Sequence, residues 1–355
     1  LYMATITRKP SKSFEVQWYV NGKRKSKTFK TRNEAKKFAA FLDLSPEDAG
    51  TKITFLAAMD EYEKEVTSGK RSKRSESIRL NVFKRRKFAT KILSNLTQKD
   101  FLGYIEERKE EKSPKTGGTI APSTINKEIA ILMDIFNFAI EQGWMKENPL
   151  RGIPRQREPE HRERIATESD IEKLMIVSGW DGKSTPQTLS QLTVAAFIFS
   201  CRTGMRSGEI LSTEDVWIDG NVIHLPAEAT KTFSKRDVAL STDALAILKL
   251  VLPLVKNHKP FGLLNDKTRD VLFRKLRDKA DLGPRYDSHG RLILEGLNFH
   301  DARATFATWA ASINPATGAP RLDVLALARQ TGHKNLKMLQ RYYRESASEI
   351  AKRLG

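Results

Sequence analysis

Two segments without hydrophobic periodicity divide this chain into three parts. Residues 43–52 (DLSPEDAGTK) are rich in polar and turn-forming residues, and residues 151–164 (RGIPRQREPEHRER) carry two prolines among closely spaced charges. Apolar residues recur in neither segment at helical or strand spacing, so neither can bury one face against a core. The sequence therefore predicts three modules, over residues 1–48, 53–150 and 165–355, with an extended linker at 151–164.

The first module is predicted to be a small basic β-β-α unit. Apolar residues alternate along a first strand (FEVQWYV, residues 14–20), and Asn21-Gly22 is a strong hairpin signal because both residues accept a positive φ. Thr31 and Glu34 form a capping box that begins a helix over the apolar face of the sheet. A ribbon of this width fits the major groove. We therefore expect the return strand to bind DNA through Lys23, Arg24, Lys25 and Lys27.

The second module is predicted to be a helical bundle. Helices are expected over residues 55–66, around the run at 84–87, after a cap at Thr97, and over a last helix that Gly143 ends. The apolar stripe of that last helix consists of Ile125, Ile129, Leu132, Phe136 and Ala139. A basic run is ordinarily a solvated helix face, but on so basic a chain we expect phosphate contacts from Lys84, Arg85, Arg86 and Lys87.

The charge balance narrows the classes of function. Lysine and arginine number 62 against 43 acidic residues, a formal net charge of +19, which favours a polyanionic partner and nucleic acid first. No apolar run is long enough to span a membrane, and the single cysteine, Cys201, cannot form an internal disulfide, which indicates the reducing cytoplasm. No phosphate-binding loop, H-E-x-x-H or paired C-x-x-C pattern occurs, so neither a metal nor a nucleotide cofactor is predicted.

The third module is predicted to be mixed α/β and mainly α, with a short strand group at residues 216–240. Its predicted helix starts and turns carry Arg206, Lys231, His300, Arg303, His333 and Tyr342. Such a set suits phosphoryl transfer on a phosphodiester, because two arginines can bind the non-bridging oxygens of the transition state without a metal ion. A tyrosine could then act as nucleophile, and a lysine could protonate the departing alkoxide.

These residues resemble the tyrosine recombinases, or phage integrases, which share their catalytic fold with type IB topoisomerases. The first box of that family, T-G-x-R-x-G-E, is met by residues 203–209 (TGMRSGE), and its second box, H-x-x-R, by His300 and Arg303. Its third box places a Gly-His pair nine residues before the nucleophile, as His333 and Tyr342 are spaced here. Lys231 matches the hairpin lysine of the family.

The resemblance implies a multidomain, mainly α protein with an arm-binding module, a helical core-binding domain and a catalytic domain. Tyr342 would form a 3′-phosphotyrosine, Lys231 would be the general acid, and the remaining arginines and histidines would hold the phosphate. The implied partners are double-stranded DNA at core and arm sites, and a homotetramer on two DNA sites that proceeds through a Holliday junction. Accessory DNA-bending proteins and a bacterial or phage setting also follow from the resemblance. A short stripe after the nucleophile would dock on a neighbouring protomer: Ala347, Ile350, Ala351 and Leu354.

The sequence also departs from the family pattern and leaves alternatives open. Ala304 stands where the family usually has a histidine, and Tyr343 follows the nucleophile where threonine is more usual. Tyr343 and Lys235 are therefore competitors for the roles of Tyr342 and Lys231. The alternative function is an inactive DNA-binding regulator or architectural protein of the same fold, and a simple topoisomerase is disfavoured by the separate basic N-terminal module. Integration, excision and inversion are not distinguished.

Overall fold

The structure, a computed structural model, describes residues 4–11, 13–20, 23–42, 53–113, 118–159, 162–231, 233–289, 291–343 and 351. They belong to two compact units, residues 1–160 and 161–355, so the boundary falls inside the predicted linker at 151–164. The Asn21-Gly22 turn, the segment 43–52 and the C-terminal stripe apart from Ala351 lie outside the described residues. The architecture is multidomain and mainly α, as predicted.

The N-terminal module has one strand more than predicted. Strand β1 (Thr5–Arg8) pairs antiparallel with β2 (Phe14–Val20), which pairs with β3 (Lys23–Phe29). The β-β-α prediction missed β1 because only Ile6 in that strand is apolar and the strand is largely exposed, so it has no alternating pattern. Helix α1 (Arg32–Leu42) covers the sheet, and the predicted capping box is present, with Thr31 and Glu34 exchanging two hydrogen bonds of 3.2 Å.

The helical bundle follows the predicted order but differs at one helix end. It contains α2 (Phe55–Glu65), α3 (Lys73–Lys84), α4 (Gln98–Glu110) and α5 (Pro122–Glu141). The prediction placed residues 84–87 within one helix, whereas α3 ends at Lys84 and a 3-10 turn begins at Lys87. Phe83 and Phe88 are both buried, and on a continuous helix they would lie about 140° apart. The break allows both rings to reach the core.

Helix α5 carries the predicted apolar stripe, all five members of which are buried. Phe136 stacks on Phe55, with 4.7 Å between ring centroids. The helix ends before Gly143, whose φ of 77° is left-handed, as expected for a stop signal. The segment that follows packs on this helix, because buried Asn126 accepts a hydrogen bond from the Gln156 amide (2.7 Å) and donates one to its carbonyl (2.9 Å).

The second unit is built around α7 (Leu189–Thr203), which is buried along most of its length. An antiparallel sheet of β4 (Ile218–Asp219), β5 (Val222–Leu225) and β6 (Arg236–Ala239) matches the predicted strand group. A second sheet, β7 (Arg285–Tyr286) with β8 (Leu292–Leu294), is exposed and was not predicted. The other helices are α6 (Glu168–Ser178), α8 (Ser207–Ser212), α9 (Thr242–Val251), α10 (Asp266–Lys279), α11 (Asp301–Ala311), α12 (Val324–Thr331) and α13 (Lys337–Gln340).

None of the helices in the described part of the chain is long and apolar enough to cross a membrane. Cys201 is buried within α7, and burial raises the pKa of its thiol. It is therefore a small core residue.

Candidate active site

The first box is a sharp turn between two helices. Helix α7 ends at Gly204, whose φ is 68°, and a Cβ atom there would lie 2.5 Å from the Phe306 ring. Glycine is therefore required both for the left-handed backbone and for the close packing. The turn places Arg206 immediately before α8, as the residue that caps this helix.

A buried carboxylate holds Arg206. Glu209 is 2% exposed and accepts hydrogen bonds from the Arg206 amide (2.8 Å) and from Arg206 Nη1 (3.0 Å). Arg206 Nη2 also donates to the Gly332 carbonyl at 3.4 Å. Although burial alone would raise the pKa of Glu209, the Arg236 guanidinium and Arg206 lower it, so the carboxylate is ionised at neutral pH. Glu209 therefore fixes the orientation of Arg206.

The second box lies at the start of α11 and contacts the first. His300 is the residue before this helix, and Arg303 lies within its first turn, 5% exposed. Arg303 Nη1 donates to the Gly204 carbonyl at 2.6 Å, and Nη2 lies 3.3 Å from both ring nitrogens of His333. Burial lowers the pKa of Arg303, as does the neighbouring charge of Arg206. The structure thus brings one residue from each of three boxes together.

His333 follows the left-handed Gly332 that ends α12. The Thr331 hydroxyl donates to the Leu327 carbonyl at 2.6 Å, so it can only accept from His333 Nδ1, which lies 2.7 Å away. The hydrogen-bond network therefore assigns the hydrogen to Nδ1 and leaves Nε2 as an acceptor for Arg303. Burial and Arg303 lower the pKa of His333 to about 4, so the ring is neutral near pH 7.

His300 and Lys231 lie at the exposed side of the same site. Shielding from solvent lowers the pKa of His300, and the charges of Arg303, Arg206 and Lys231 lower it further. Lys231 is exposed in the turn before β6, and Lys235 is exposed in the same connection. The choice of Lys231 over Lys235 as a member of the site therefore stays a prediction.

The two adjacent tyrosines have different surroundings. The Tyr342 hydroxyl accepts a hydrogen bond from Arg341 Nη2 (2.8 Å) and borders a cavity of about 180 Å³, together with Arg162 and Ala304. The Tyr343 hydroxyl instead donates to the Leu322 carbonyl at 2.8 Å, and burial raises its pKa to about 12. Tyr343 is thus committed to packing, which supports Tyr342 as the nucleophile.

The N-terminal unit pairs several of the predicted DNA-binding residues with its own groups. Lys27 binds Glu61 (2.5 Å) and Glu65 of α2, and Lys25 Nζ donates to the Glu141 carbonyl at 2.7 Å. Arg24 donates to Gln17 (2.5 Å). The Lys23 side chain lies outside the described residues.

The predicted basic cluster at residues 84–87 contains two residues that are paired with carboxylates and two that are exposed. Lys84 binds Asp60 and Glu63, and Arg86 binds Glu111, at 2.6 to 2.8 Å. Arg85 and Lys87 are exposed. The break after α3 therefore presents Arg85 and Lys87 to solvent, and the DNA contacts of all eight residues stay predictions.

Two residues that connect the boxes were not among the predicted site residues. Arg236 donates to both oxygens of Glu209, at 2.8 and 2.9 Å. Gln330 donates to the Thr203 carbonyl (3.0 Å) and exchanges hydrogen bonds with the backbone of Ala239. Arg236 is the first residue of β6, shortly after the predicted Lys231, and this position could have indicated it, whereas no sequence signal marks Gln330.

Two protein-family models match this chain. The model of the phage integrase family matches residues 165–349, and that of the phage integrase SAM-like domain matches residues 54–156. A Haemophilus influenzae relative described as an integrase/recombinase is 31% identical over 350 residues, covering 96% of this chain and 87% of its own length. The shufflon-specific DNA recombinase of Escherichia coli is 29% identical over 306 residues, covering 85% of this chain and 72% of its own.

Solved structures share the fold. A lambda integrase dimer bound to a COC′ core site has a TM-score of 0.63 at 16% identity, covering 96% of both chains. The Tn1549 transposon integrase in complex with circular intermediate DNA has a TM-score of 0.60 at 18% identity, covering 86% of this chain and 100% of that one. Because the catalytic-domain match spans more than half of the sequence and the Haemophilus relative aligns with nearly all of it, the chain belongs to the phage integrase family of tyrosine recombinases.

Proposed function

We propose that this protein is a site-specific DNA recombinase that breaks and rejoins strands through a covalent link to Tyr342. The observation that carries the proposal is the convergence of Arg206, Arg303 and His333 at the turn after α7. Two guanidiniums that repel each other lie there beside a single buried carboxylate, Glu209. Such an excess of positive charge is costly alone and is offset by a phosphodiester, most of all in its more negative transition state.

The proposed cleavage step balances without an external energy source. The Tyr342 hydroxyl loses its proton to solvent, and its oxygen forms a bond to the scissile phosphorus as the bond from phosphorus to the 5′-oxygen breaks, leaving a 3′-phosphotyrosine. The 5′-oxygen takes a proton from Lys231, and the free 5′-hydroxyl can later attack a partner duplex by the reverse of this step. Arg206 and Arg303 bind the non-bridging oxygens, and neutral His300 supports the phosphate. Neutral His333 supports it through Arg303, which donates to the Nε2 atom of His333. Neither a metal ion nor ATP is needed for this exchange.

The proposed assembly is a tetramer on two DNA sites that passes through a Holliday junction. The support is likeness alone: a lambda integrase tetramer bound to a Holliday junction shares the fold, with a TM-score of 0.60 over 96% of this chain. The N-terminal module would bind separate arm sites, and the segment after Tyr343 would join neighbouring protomers. The alternative, an inactive DNA-binding relative, would have no need of the convergent guanidiniums of Arg206 and Arg303.

Trapping the covalent adduct tests the proposal. The core site is first identified by sequencing DNA fragments that the full-length protein retains. Incubation with a nicked duplex of that site, in EDTA and without ATP, should give a protein–DNA adduct that survives denaturation and is removed by protease. Retention of DNA without any adduct would favour the inactive regulator, and an adduct that requires a divalent metal would contradict the proposed step.

Lys231→Ala is expected to slow cleavage of ordinary DNA about 100-fold or more, the scale of a lost general acid. Replacing the bridging 5′-oxygen with sulfur, a far better leaving group, should restore cleavage to this variant but not to Arg206→Ala. Single-turnover cleavage rates on the two substrates measure this. Lys235→Ala is the matched control and should cleave both substrates normally. If the sulfur substrate restored cleavage only to a Lys235→Ala variant that is slow on ordinary DNA, Lys235 would be the general acid instead.

A further inference from the structure

Arg236 is a buried arginine that the proposed reaction does not yet use. It opens β6, its side chain is 9% exposed, and its guanidinium faces the carboxylate of Glu209. Nη1 and Nη2 donate to the two oxygens of Glu209 at 2.8 and 2.9 Å, a bidentate geometry that lysine cannot reproduce. Its Nε is buried and forms no hydrogen bond within the part of the chain that the structure describes.

Glu209 is shared equally between two arginines. Its Oε1 accepts from Arg206 Nη1 and Arg236 Nη1, and its Oε2 accepts from the Arg206 amide and Arg236 Nη2. With only one of these arginines, a carboxylate that is 2% exposed would lose half of its donors. The orientation of Arg206 therefore depends on Arg236, although the two arginines bind Glu209 from different elements of the fold.

Arg236 also packs under the third box. A Cβ atom at Gly332 would lie 2.8 Å from Arg236 Nη1, so the backbone of the residue before His333 rests on this guanidinium. The Gly332 carbonyl meanwhile accepts the hydrogen bond from Arg206 Nη2. The Arg236 side chain therefore contacts both the loop before His333 and the carboxylate that holds Arg206. Arg236 is also the first residue of the strand that follows the Lys231 turn.

We propose that Arg236 is a positioning residue that acts through Glu209 to orient Arg206 toward the scissile phosphate and that supports the loop of His333 from below. This inference rests on the proposed function, because it assigns Arg236 a part in the same cleavage step. The positive charge of Arg236 has a second effect. Together with the charges of Arg303, Arg206 and Arg341, it lowers the pKa of His333 and so keeps that ring neutral.

The first experiment measures single-turnover cleavage of the nicked core-site duplex by full-length variants. Arg236→Met should cleave about 30-fold or more slowly, while its affinity for DNA changes less than about threefold. A loss of this size is typical when a residue that orients the direct ligands of a metal site is removed. Arg236→Lys keeps the charge but not the bidentate contact and should fall in between. Arg277→Met, which removes another mostly buried arginine of this unit that binds Asp278, is the matched control and should cleave normally.

A double variant tests the route through Glu209. If Arg236 acts through this carboxylate, Arg236→Met combined with Glu209→Gln should cleave no more than about threefold more slowly than the slower single variant. Losses that multiply would mean that Arg236 acts independently of Glu209. Cleavage by Arg236→Met within threefold of the wild type, at an unchanged melting temperature, would also overturn the proposal.

A second readout does not depend on cleavage. Four positively charged arginines lower the pKa of His333: Arg303 on α11, Arg206 before α8, Arg341 beside the nucleophile and Arg236 on β6. In NMR titrations of histidine-labelled protein, Arg236→Met should raise the pKa of His333, whereas Arg236→Lys and Arg277→Met should leave it nearly unchanged. An unshifted His333 in folded Arg236→Met contradicts the placement of Arg236. If the wild type forms no adduct, the proposed function is wrong. The titration still tests whether Arg236 lies close enough to His333 to lower its pKa.

Discussion

Tyr342→Phe is expected to bind the core site with unchanged affinity and to form no covalent adduct. Phenylalanine keeps the ring but lacks the oxygen that attacks phosphorus, so the loss should be at least about 10⁴-fold, by analogy with removal of a serine nucleophile. The free energy of unfolding should change little. The Tyr342 hydroxyl accepts one hydrogen bond, from the exposed Arg341, and such a bond contributes about 1 kcal/mol to stability. Adduct formation on the nicked duplex and binding by gel shift measure the two effects separately.

Tyr343→Phe is the matched control. It removes the hydrogen bond to the Leu322 carbonyl and should destabilise the domain by about 1 kcal/mol, while adduct formation continues. The distinction follows from chemistry: burial raises the pKa of Tyr343 to about 12 and its hydroxyl is already engaged, so forming a phenolate there is disfavoured. An adduct with Tyr342→Phe and none with Tyr343→Phe would reverse the assignment.

Local patterns in the sequence predicted much of the fold. The five-residue stripe of α5 and the capping boxes at Thr31 and Thr97 appear in the structure where they were expected. Each depends on residues three to seven apart, so the chain needs no distant contact to specify it. The nine-residue spacing between His333 and Tyr342 likewise could be read directly from the sequence, because it lies within one short segment.

What the sequence did not predict depends on contacts between distant residues. Strand β1 exists because β2 pairs with it, and the break after Lys84 exists because Phe83 and Phe88 share one core. Similarly, the basic residues Lys27 and Lys84 are paired with carboxylates of α2, which no local pattern reveals. Tertiary packing decides such features, so an isolated segment carries little information about them.

The same limit applies within the site. The boxes name the residues that are proposed to touch the DNA. Arg236 and Gln330 instead join parts of the site that lie 27 and 127 residues apart in the sequence. Glu209 illustrates the difference: its membership of the first box is visible in the sequence, but its second arginine partner is visible only in three dimensions. The supporting residues are therefore the part of the site that requires a structure.

Arg303→Ala and Arg206→Ala should each slow cleavage at least about 100-fold. Removing one charge-assisted donor from a developing oxyanion costs roughly 3 kcal/mol of transition-state stabilisation, and guanidiniums bind phosphate through two donors. Arg303→Ala also leaves the Gly204 carbonyl without its 2.6 Å donor, a loss that favours unfolding. It simultaneously relieves the repulsion that lowers the pKa of Arg303, so the melting temperature should fall far less than activity does.

Single-turnover cleavage and thermal unfolding, measured on the same preparations, separate these two effects. Arg274→Ala, an exposed arginine of α10 that donates to the Asp270 carbonyl, is the matched control and should retain normal cleavage. Lysine at position 303 should recover only part of the rate, because its point charge cannot reach both a phosphate oxygen and the Gly204 carbonyl in the planar geometry of a guanidinium. If folded Arg206→Ala or Arg303→Ala retained more than a few per cent of the wild-type rate, these arginines would not bind the scissile phosphate.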